Sequence, residues 1–508
     1  MSSSYAIIFC EMTIKKIEDQ EIIRNYLTDE SNIFHGHASA LFLPENVAEL
    51  ASVLQWSDKN DVLVSISGGG TSITGSRVPL NGGVVISLEK MMVVALTPKL
   101  KDSGFCALSE QGYQILVNKE SQLAILPPAI PLSVLDLLLE RVGLVYPPDP
   151  TELSAVIGGT VATNASGARS YFYGSTRAWV HGLQVVLMDG SIININANEL
   201  LKDSKIKNAN KIQELATEFE MNQKMPNTKN AAGLFLKKDM RLIDIFIGSE
   251  GVLGAFSEIE VGLIKRINNS STIVAFFDAV INALDFVDHI KTNPQKEPVL
   301  SLEFFDEHSL KFMKKTHQRI PTNAMAAILF EIAGPTEETI LNIAETLDSY
   351  KAIDIWDIPP EKREEIRLFR HSLPESINEY VKTRAGKIGT DMAVPRKNFR
   401  IMYNAYLEEA KNTGLNYVLF GHIGDSHLHL NFLPENNTQK QKAMQSYLNL
   451  AKLAVKLKGT ISAEHGVGKK TIKLKTGETV PYLQIMYNQK NLKIIKKIKQ
   501  LIYLINPY

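Results

Sequence analysis

A cluster of histidines is the part of this sequence best suited to chemistry: His422, His427 and His429 are three of the eleven histidines in the chain. Apolar residues alternate with the last two, which predicts a strand with these imidazoles and Asn431 on one face. The apolar residues 417–420 predict a preceding strand, and the glycine-containing turn between the two strands makes a hairpin that faces the first histidine toward the others. Such a cluster suits a divalent metal ion, and a polar strand face of ordinary hydrogen-bonded histidines is the alternative.

A glycine-rich loop from Ser67 to Ser76 follows a strand predicted at residues 62–66. Three successive glycines let backbone amides close around an anion because no Cβ blocks the approach, and Thr71 and Ser72 add hydroxyl donors. The loop has neither the GxGxxG pattern that opens a helix nor the Gly-Lys-Ser/Thr of a Walker A loop. It predicts either an anion-binding loop of another type or a simple glycine-rich turn.

Two further stretches are rich in glycine or other small residues. Residues 158–167 contain nothing larger than Val, Thr or Asn, so a flat or bulky group can lie against their backbone. Residues 248–254, with the sequence GSEGVLG, follow an apolar run at residues 243–247 that reads as a strand. The first stretch therefore predicts a binding surface and the second a turn after a strand.

The composition bounds the class of protein. The 508 residues are 44% hydrophobic, which predicts a large core in two or three domains, and 55 basic side chains balance 55 acidic ones, so we expect no nucleic-acid partner. Cys10 and Cys106 are the only cysteines, which excludes a thiolate zinc site or an iron–sulfur cluster and suits a reducing compartment. No apolar run reaches the length of about 20 residues that spans a bilayer. We expect a soluble cytoplasmic protein, with peripheral contact at the inner face of a membrane as the alternative.

Helical and strand patterns alternate along the chain, which predicts a mixed α and β fold. The basic amphipathic tail at residues 491–505 predicts a docked terminal helix, with a membrane-surface helix as the alternative. The polar residues 198–230 predict a solvent-exposed helix or insertion, and the polar residues 265–272 predict a domain boundary. Helices are predicted at residues 44–60, 131–142, 280–291 and 337–350, and strands at residues 62–66, 83–88, 272–277 and 325–332.

Five motifs, in this order, resemble those of the FAD-linked oxidase superfamily of the vanillyl-alcohol oxidase type: the first glycine loop, PPDP with IGGTVATNASG, GSEGVLG, GHIGDSHLHLN and SAEHGVGK. The C-terminal half resembles the branch of D-lactate dehydrogenases, glycolate oxidases and D-2-hydroxyglutarate dehydrogenases. The resemblance implies an α+β fold: a PCMH-type FAD-binding domain of two α+β subdomains, then an α+β substrate-binding cap domain of the FAD-linked oxidase C-terminal type. The expected segments are a helical lead-in at residues 1–34, the FAD-binding domain at 35–268, the cap domain at 269–460 and a C-terminal segment with the EHG motif and a terminal helix at 461–508.

The resemblance implies FAD, with its pyrophosphate on the amides of the first glycine loop. No histidine or cysteine occupies that loop, so we expect the FAD to be bound non-covalently. The residues expected to contact FAD are Ser67, Gly68, Gly69, Gly70, Thr71, Ser72, Gly75, Ser76, Pro148, Asp149, Ser154, Gly158, Gly159, Thr163, Asn164, Gly167, Tyr173, Gly174, Glu250, Gly251 and Leu253.

The resemblance also implies a divalent metal ion. Its implied ligands are the first and last histidines of the GHxGDxNxHxN motif and the glutamate of the EHG motif, which are His422, His429 and Glu464 here. We expect zinc, with manganese as the alternative. His427 stands where the family has asparagine, and two roles stay open for it: a partner that supports a ligand, or a competing ligand.

The implied reaction is oxidation of a D-2-hydroxy acid to the 2-oxo acid, with the hydride passing to flavin N5 and the metal ion activating the hydroxyl. His465 is the candidate base, and Asn431 matches a residue at the reacting hydroxyl. Arg370 aligns with the arginine that binds the substrate carboxylate. The alternatives are a structural role for His465 beside a glycine turn and an ordinary helix-surface position for Arg370.

The substrate side chain is predicted from two departures from the family pattern. Pro374 stands where the 2-hydroxyglutarate enzymes carry a threonine, and Gly389 where they carry a lysine, with Lys387 two residues earlier as a further substrate-binding candidate. Because those groups meet a second carboxylate, their loss favours a small monocarboxylate such as D-lactate over D-2-hydroxyglutarate, with glycolate as another alternative. Electrons then pass to an external acceptor, which is a quinone, a cytochrome or a flavoprotein.

Two other functions fit the same scaffold. One is an ether-lipid synthase, which uses FAD without net oxidation, and the GHxGD and EHG motifs argue against it. The other is a non-catalytic flavin-binding subunit of a complex. A homodimer is compatible with the sequence.

Overall fold

The computed structural model describes residues 14–31, 33–293, 296–359, 362–473 and 477–503. The N-terminal half contains a four-stranded sheet and a six-stranded sheet. The strands of this half are β1 (Lys16–Ile17), β2 (Ala40–Phe42), β3 (Val64–Ser67), β4 (Val84–Ser87), β5 (Cys106–Glu110), β6 (Tyr113–Asn118), β7 (Leu123–Leu126), β8 (Leu144–Val145), β9 (Val180–Val186), β10 (Ile192–Asn196), β11 (Ala255–Gly262) and β12 (Ile264–Lys265). Its helices are α1 (Gln20–Ile23), α2 (Val47–Lys59), α3 (Pro98–Asp102), α4 (Leu132–Glu140), α5 (Ile157–Thr163), α6 (Ser170–Tyr173), α7 (Ala209–Asn222) and α8 (Leu242–Phe246).

The four-stranded sheet positions the first glycine loop. Its order is β1-β2-β4-β3, with β2, β4 and β3 parallel and β1 antiparallel at the edge. Helix α2 begins where Asn46 accepts the N–H of Glu49, and it buries Leu50 and Leu54 in the core beside the sheet. Strand β3 ends at Ser67, so the glycine loop starts at the carboxyl end of a parallel strand, where open sheets commonly bind ligands. The six-stranded sheet is antiparallel in the order β10-β9-β11-β7-β6-β5.

The C-terminal half is built on one antiparallel sheet. The sheet has eight strands in the order β16-β13-β15-β14-β19-β20-β17, with β18 also paired to β20. The strands of this sheet are β13 (Ser270–Phe277), β14 (Val299–Asp306), β15 (Ala326–Ala333), β16 (Ala352–Ile358), β17 (Ile388–Gly389), β18 (Met392–Ala393), β19 (Tyr417–Gly421) and β20 (His427–Phe432). Two further strands, β21 (Thr471–Lys473) and β22 (Thr479–Pro481), pair only with each other. The helices are α9 (Val280–Thr292), α10 (Glu307–Met313), α11 (Glu337–Ser349), α12 (Arg363–Val381), α13 (Phe399–Thr413), α14 (Asn437–Lys456), α15 (Leu483–Met486) and α16 (Gln489–Tyr503).

The two halves are joined by polar side chains around α6. Arg169 donates hydrogen bonds of 2.8 Å to each carboxylate oxygen of Glu331 in β15. Ser170 donates to Asp425 Oδ2 at 2.7 Å, in the turn between β19 and β20. Because a bidentate arginine–carboxylate pair fixes orientation as well as distance, these contacts hold the histidine hairpin against the loops of the N-terminal half.

Most of the predicted helices and strands are confirmed, and two predictions of secondary structure need correction. The apolar residues 243–247, predicted as a strand, contribute to the short helix α8, whose five residues are all buried. A short apolar run that is buried on every side has no periodicity that separates helix from strand. The predicted helical lead-in contains the strand β1 as well as α1, and its residues 1–13 lie outside the described residues.

The predicted docking of the C-terminal helix is confirmed for its described part. Ile498 of α16 is fully buried, and the Asn491 side chain donates to the Phe219 carbonyl of α7 at 3.2 Å. Because α7 buries one of its faces, residues 198–230 are not wholly solvent-exposed as predicted. The last apolar residue of the predicted stripe, Ile505, lies outside the described residues. Among the helices described, none is both long and apolar enough to cross a bilayer.

Candidate active site

The predicted histidine hairpin is present. Strands β19 and β20 pair antiparallel with Phe420 opposite His429, and Ser426 adopts a left-handed φ of 56° in the connecting turn. The turn brings the His422 ring to 5.7 Å from the ring of His429, and His427 lies 4.4 Å from His429, measured between ring centroids. The local strand pattern therefore places three imidazoles on one side of the sheet, as the alternation of apolar and polar residues predicts.

Glu464 comes to this cluster from a distant part of the chain. One carboxylate oxygen lies 3.4 Å from His422 Nε2, and the other lies 3.3 Å from His429 Nε2. Ligating atoms of these three residues and of His427 all fall within 4.8 Å of one another. The structure thus brings together the three metal ligands predicted from the sequence, and a set of imidazole nitrogens with one carboxylate fits a divalent ion such as zinc.

Two buried charges beside the cluster were missed by sequence analysis. Glu303 of β14 places Oε1 2.7 Å from His422 Nδ1, and Lys229 Nζ donates to Glu464 Oε2 at 2.8 Å. Burial is the largest single influence and lowers the pKa of His422, but the carboxylates of Glu303 and Glu464 together outweigh it and raise this pKa to about 9. Although burial favours neutral Glu464, the charges of Lys229 and His422 hold its pKa well below the usual range. The polar sequence around Lys229 predicts a solvent-exposed segment, so no local signal indicates that this side chain is buried.

The candidate base is held by a carboxylate that sequence analysis left without a role. Asp391 Oδ2 lies 3.2 Å from His465 Nδ1 and accepts the backbone N–H of His465 at 3.0 Å. The other ring nitrogen of His465, Nε2, lies 3.5 Å from Glu464 Oε1, and about a third of the side chain (34%) is exposed. Burial is the largest single influence and lowers the pKa of His465, but the carboxylates of Asp391 and Glu464 together outweigh it and raise this pKa. A partly exposed imidazole beside this cluster of histidines and Glu464 can receive a proton from a bound substrate.

Asn431 occupies space that a side chain at position 389 would need. The two residues pair across β17 and β20, and a Cβ built on Gly389 would lie 2.3 Å from Asn431 Oδ1. Asn431 is 8% exposed. Glycine at position 389 therefore leaves room for the Asn431 amide in its present position.

The two cationic side chains that were predicted to bind the substrate, Arg370 and Lys387, have different surroundings. Arg370 of α12 places Nη1 3.9 Å from Asp149 Oδ2, and its side chain is 23% exposed. Arg169 approaches the same carboxylate at 4.0 Å. Lys387 instead donates to Asn378 Oδ1 at 3.0 Å, and burial lowers its pKa. Arg370 thus faces a predicted cofactor-binding residue, whereas Lys387 is held by a side chain of its own domain.

The two glycine loops that were predicted to hold FAD lie against each other. A Cβ on Gly68 would lie 3.1 Å from Val156 and 4.0 Å from the backbone of Gly159. Gly70 and Gly75 adopt positive φ values of 78° and 75°, which favour glycine. Because Gly68, Gly69 and Gly70 carry no side chains, no Cβ blocks a pyrophosphate from their amides, so the backbone fits the cofactor implied by the family.

Glu250 connects the first glycine loop to the EHG segment. Its Oε2 accepts the Ser76 hydroxyl at 2.7 Å and the N–H of Gly468 at 2.9 Å, and its Oε1 accepts the N–H of Val467 at 3.0 Å. Burial raises the pKa of the Glu250 carboxyl, and these three donors oppose the rise. Glu250, predicted to contact FAD, thus positions two of the motifs that surround the site.

Several other predicted FAD residues have structural contacts of their own. Asn164 ends α5 with a left-handed φ of 50°, and its side chain accepts the N–H of Arg177 at 2.9 Å. A Cβ on Gly167 would overlap the Asp149 carbonyl, at 1.7 Å, so the PPDP segment packs directly on this glycine. Ser154 is exposed and donates to Glu152 Oε1 at 2.6 Å. These contacts hold the strip of small residues in place beside the first glycine loop.

Two family models match most of this chain. Residues 38–196 match the FAD binding domain, and residues 267–502 match the domain described as "FAD linked oxidases, C-terminal domain". The chain therefore belongs to the FAD linked oxidases, and the α+β fold predicted for that family is confirmed. It is an FAD-linked oxidoreductase.

Individual relatives resemble this chain over most of its length. It is 26% identical over 482 residues to "Glycolate oxidase subunit GlcD" of Bacillus subtilis (strain 168), covering 93% of this chain and 88% of the relative. It is 25% identical over 471 residues to a D-lactate dehydrogenase of Archaeoglobus fulgidus, covering 90% of this chain and 91% of the relative. A solved alkyldihydroxyacetonephosphate synthase matches 96% of this chain and 82% of its own with a TM-score of 0.62 and 15% identity, which shows the fold alone.

Proposed function

We propose that this protein oxidises a small D-2-hydroxy acid to the 2-oxo acid, with D-lactate as the preferred substrate. The observation that supports this proposal best is the position of Glu464 between His422 and His429, with His465 beside it. These residues offer a metal-binding carboxylate, two imidazoles and a candidate base within one cluster. The relatives named for glycolate oxidation and D-lactate dehydrogenation support the substrate class.

Different sets of residues would hold the two cofactors. The amides of residues 68–72 and the backbone near Gly159 would hold FAD non-covalently, and His422, His429 and Glu464 would hold a divalent ion, zinc or alternatively manganese. When bound, FAD supplies an acceptor for two electrons, and the ion supplies a Lewis acid that lowers the pKa of the substrate hydroxyl.

The protein's own side chains would orient the substrate and move its proton. Arg370 would bind the carboxylate through its planar guanidinium. His465 would accept the hydroxyl proton, because Asp391 orients its ring and favours its protonated form. Asn431 would donate to the reacting oxygen from the adjoining strand. Electrons would then leave to an external quinone, cytochrome or flavoprotein.

Two observations support a monocarboxylate substrate. Gly389 and Pro374 replace polar residues that meet a second carboxylate in the family, and Asn431 Oδ1 fills the space beside Gly389. Lys387 is held by Asn378. D-2-hydroxyglutarate and glycolate are the alternative substrates, and a panel of 2-hydroxy acids distinguishes them from D-lactate.

The experiment is dye reduction by purified protein with a panel of D- and L-lactate, D-2-hydroxyglutarate and glycolate. We expect D-lactate to be the best substrate, chelation to abolish dye reduction, and zinc or manganese to restore it. His429→Ala should lose activity while it retains FAD, and His181→Ala, an exposed histidine on β9, is the matched control. Full activity of His429→Ala would contradict the metal-assisted mechanism, and no reduction by any 2-hydroxy acid would contradict the proposed function.

A further inference from the structure

His427 is a fully buried imidazole with one ring nitrogen left without a partner. It is 0% exposed, and its Nε2 lies 2.9 Å from Asp391 Oδ1. Its other ring nitrogen, Nδ1, has no hydrogen-bond partner among the described residues. A buried polar group without a partner is costly, so such a group calls for a partner that the polypeptide itself does not supply.

The three histidines of the hairpin share one arrangement. His422 Nδ1 lies 2.7 Å from the Glu303 carboxylate, and His429 Nδ1 lies 3.1 Å from the Thr390 carbonyl. In the same way, His427 has one ring nitrogen beside the Asp391 carboxylate. Metal-binding histidines usually have an acceptor at the nitrogen that does not bind the metal, because it sets the tautomer and orients the ring. His427 therefore resembles its two neighbours in its surroundings as well as in its position.

We propose that His427 is a third imidazole ligand of the metal ion, in addition to His422, His429 and Glu464. This inference rests on the proposed function, because it concerns the same metal site. One ring nitrogen of His427 lies within 4.8 Å of the ligating atoms of the other three residues. The family pattern has asparagine at this position, so a third imidazole departs from that pattern. Imidazole favours zinc and other late transition metals, whereas manganese favours oxygen ligands.

A third imidazole should change which metal ion the site prefers. A site with three imidazoles and one carboxylate should bind zinc more tightly, relative to manganese, than the two-imidazole site of the family pattern. His427→Asn restores the residue of the family pattern and removes the imidazole. Because Asp391 also contacts His465, a loss of activity in this variant would not separate a ligand from a positioning residue, so the measurement must be made on the metal.

The test measures zinc coordination in the full-length flavoprotein by X-ray absorption at the zinc edge, together with zinc and manganese affinities from chelator competition. We expect three imidazoles in the wild-type protein and two in His427→Asn. We also expect zinc affinity to fall about tenfold or more in the variant, with a smaller change for manganese. His181→Asn, the same change at an exposed histidine, should match the wild-type protein in each measurement.

The outcomes separate this inference from the proposed function. Three imidazoles in the wild-type protein support the inference even if His427→Asn fails to fold. Two imidazoles in the wild-type protein overturn the inference and leave the metal-assisted function intact. A wild-type protein that binds neither zinc nor manganese overturns both.

Discussion

Asp391 and His465 form a carboxylate–imidazole pair in which the carboxylate holds both the backbone and the ring of the histidine. Asp391 Oδ2 accepts the His465 N–H at 3.0 Å and lies 3.2 Å from the ring Nδ1. The Ser462 hydroxyl donates to the same oxygen at 2.6 Å. This arrangement favours a proton on Nδ1 and leaves Nε2, beside Glu464, as the atom that can accept a proton.

Replacing Asp391 by asparagine should therefore impair the reaction more than the binding of cofactor. We expect turnover of D-lactate by Asp391→Asn to fall about 100-fold, which is the order of magnitude of general-base catalysis. FAD content, measured by absorbance, should stay unchanged. Asp102→Asn, at the exposed end of α3, is the control. Turnover at the wild-type rate in Asp391→Asn would show that this pair has no part in the proton transfer.

Arg370→Lys tests the proposed carboxylate contact. Lysine keeps the positive charge but loses the planar pair of donors, so substrate binding should weaken by about 1.5–3 kcal/mol, the range for a hydrogen bond to a charged group. We expect KM for D-lactate to rise about 10- to 100-fold. Steady-state kinetics measure the change, and Arg400→Lys, which alters a pair with Asp285 on α9, is the matched control. An unchanged KM would place the substrate carboxylate elsewhere.

Lys229→Met tests whether the Lys229 ammonium compensates the negative charge of the Glu464 carboxylate. The Lys229 side chain is only 5% exposed and pairs with Glu464, so its removal leaves a buried carboxylate without its cation. We expect the metal-free variant to lose about 3–5 kcal/mol of stability, the usual cost of removing one partner of a buried pair. Zinc should reduce the difference in stability between the variant and the wild-type protein, because the ion supplies positive charge at the Glu464 carboxylate.

The measurement is thermal unfolding of wild-type protein and Lys229→Met with and without zinc. Lys101→Met, at an exposed position, controls for the loss of a lysine. If zinc leaves the stability difference unchanged, the ammonium of Lys229 and the metal ion do not act on the same carboxylate.

Glu250→Ala tests the connection between the first glycine loop and the EHG segment. The change removes the acceptor of the Ser76 hydroxyl and of the N–H groups of Val467 and Gly468. Because the loop loses its anchor, we expect FAD affinity to fall about 10-fold or more, which corresponds to the loss of one charged hydrogen bond. Flavin fluorescence after dilution reports the released cofactor. Glu140→Ala, at the exposed end of α4, should release no more FAD than the wild-type protein.

The sequence by itself determined the features that depend on neighbouring residues. The alternation of apolar and polar side chains predicts the hairpin of β19 and β20, and its turn residues bring His422 to the other two histidines. The family motifs place Glu464 and His465 in the same site. The apolar run at residues 243–247 was predicted wrongly, because a short segment buried on all sides carries no periodicity.

Only the tertiary structure decided which charges complete the site. Lys229 and Glu464 are 235 positions apart, and Glu303 and His422 are 119 positions apart, so no local pattern relates them. Asp391 likewise meets His465 from a distance of 74 positions. A buried charge must find its counter-charge wherever the packing of the two halves brings one. The partners of the histidine cluster are therefore a property of the fold, whereas the cluster itself is a property of one strand and its turn.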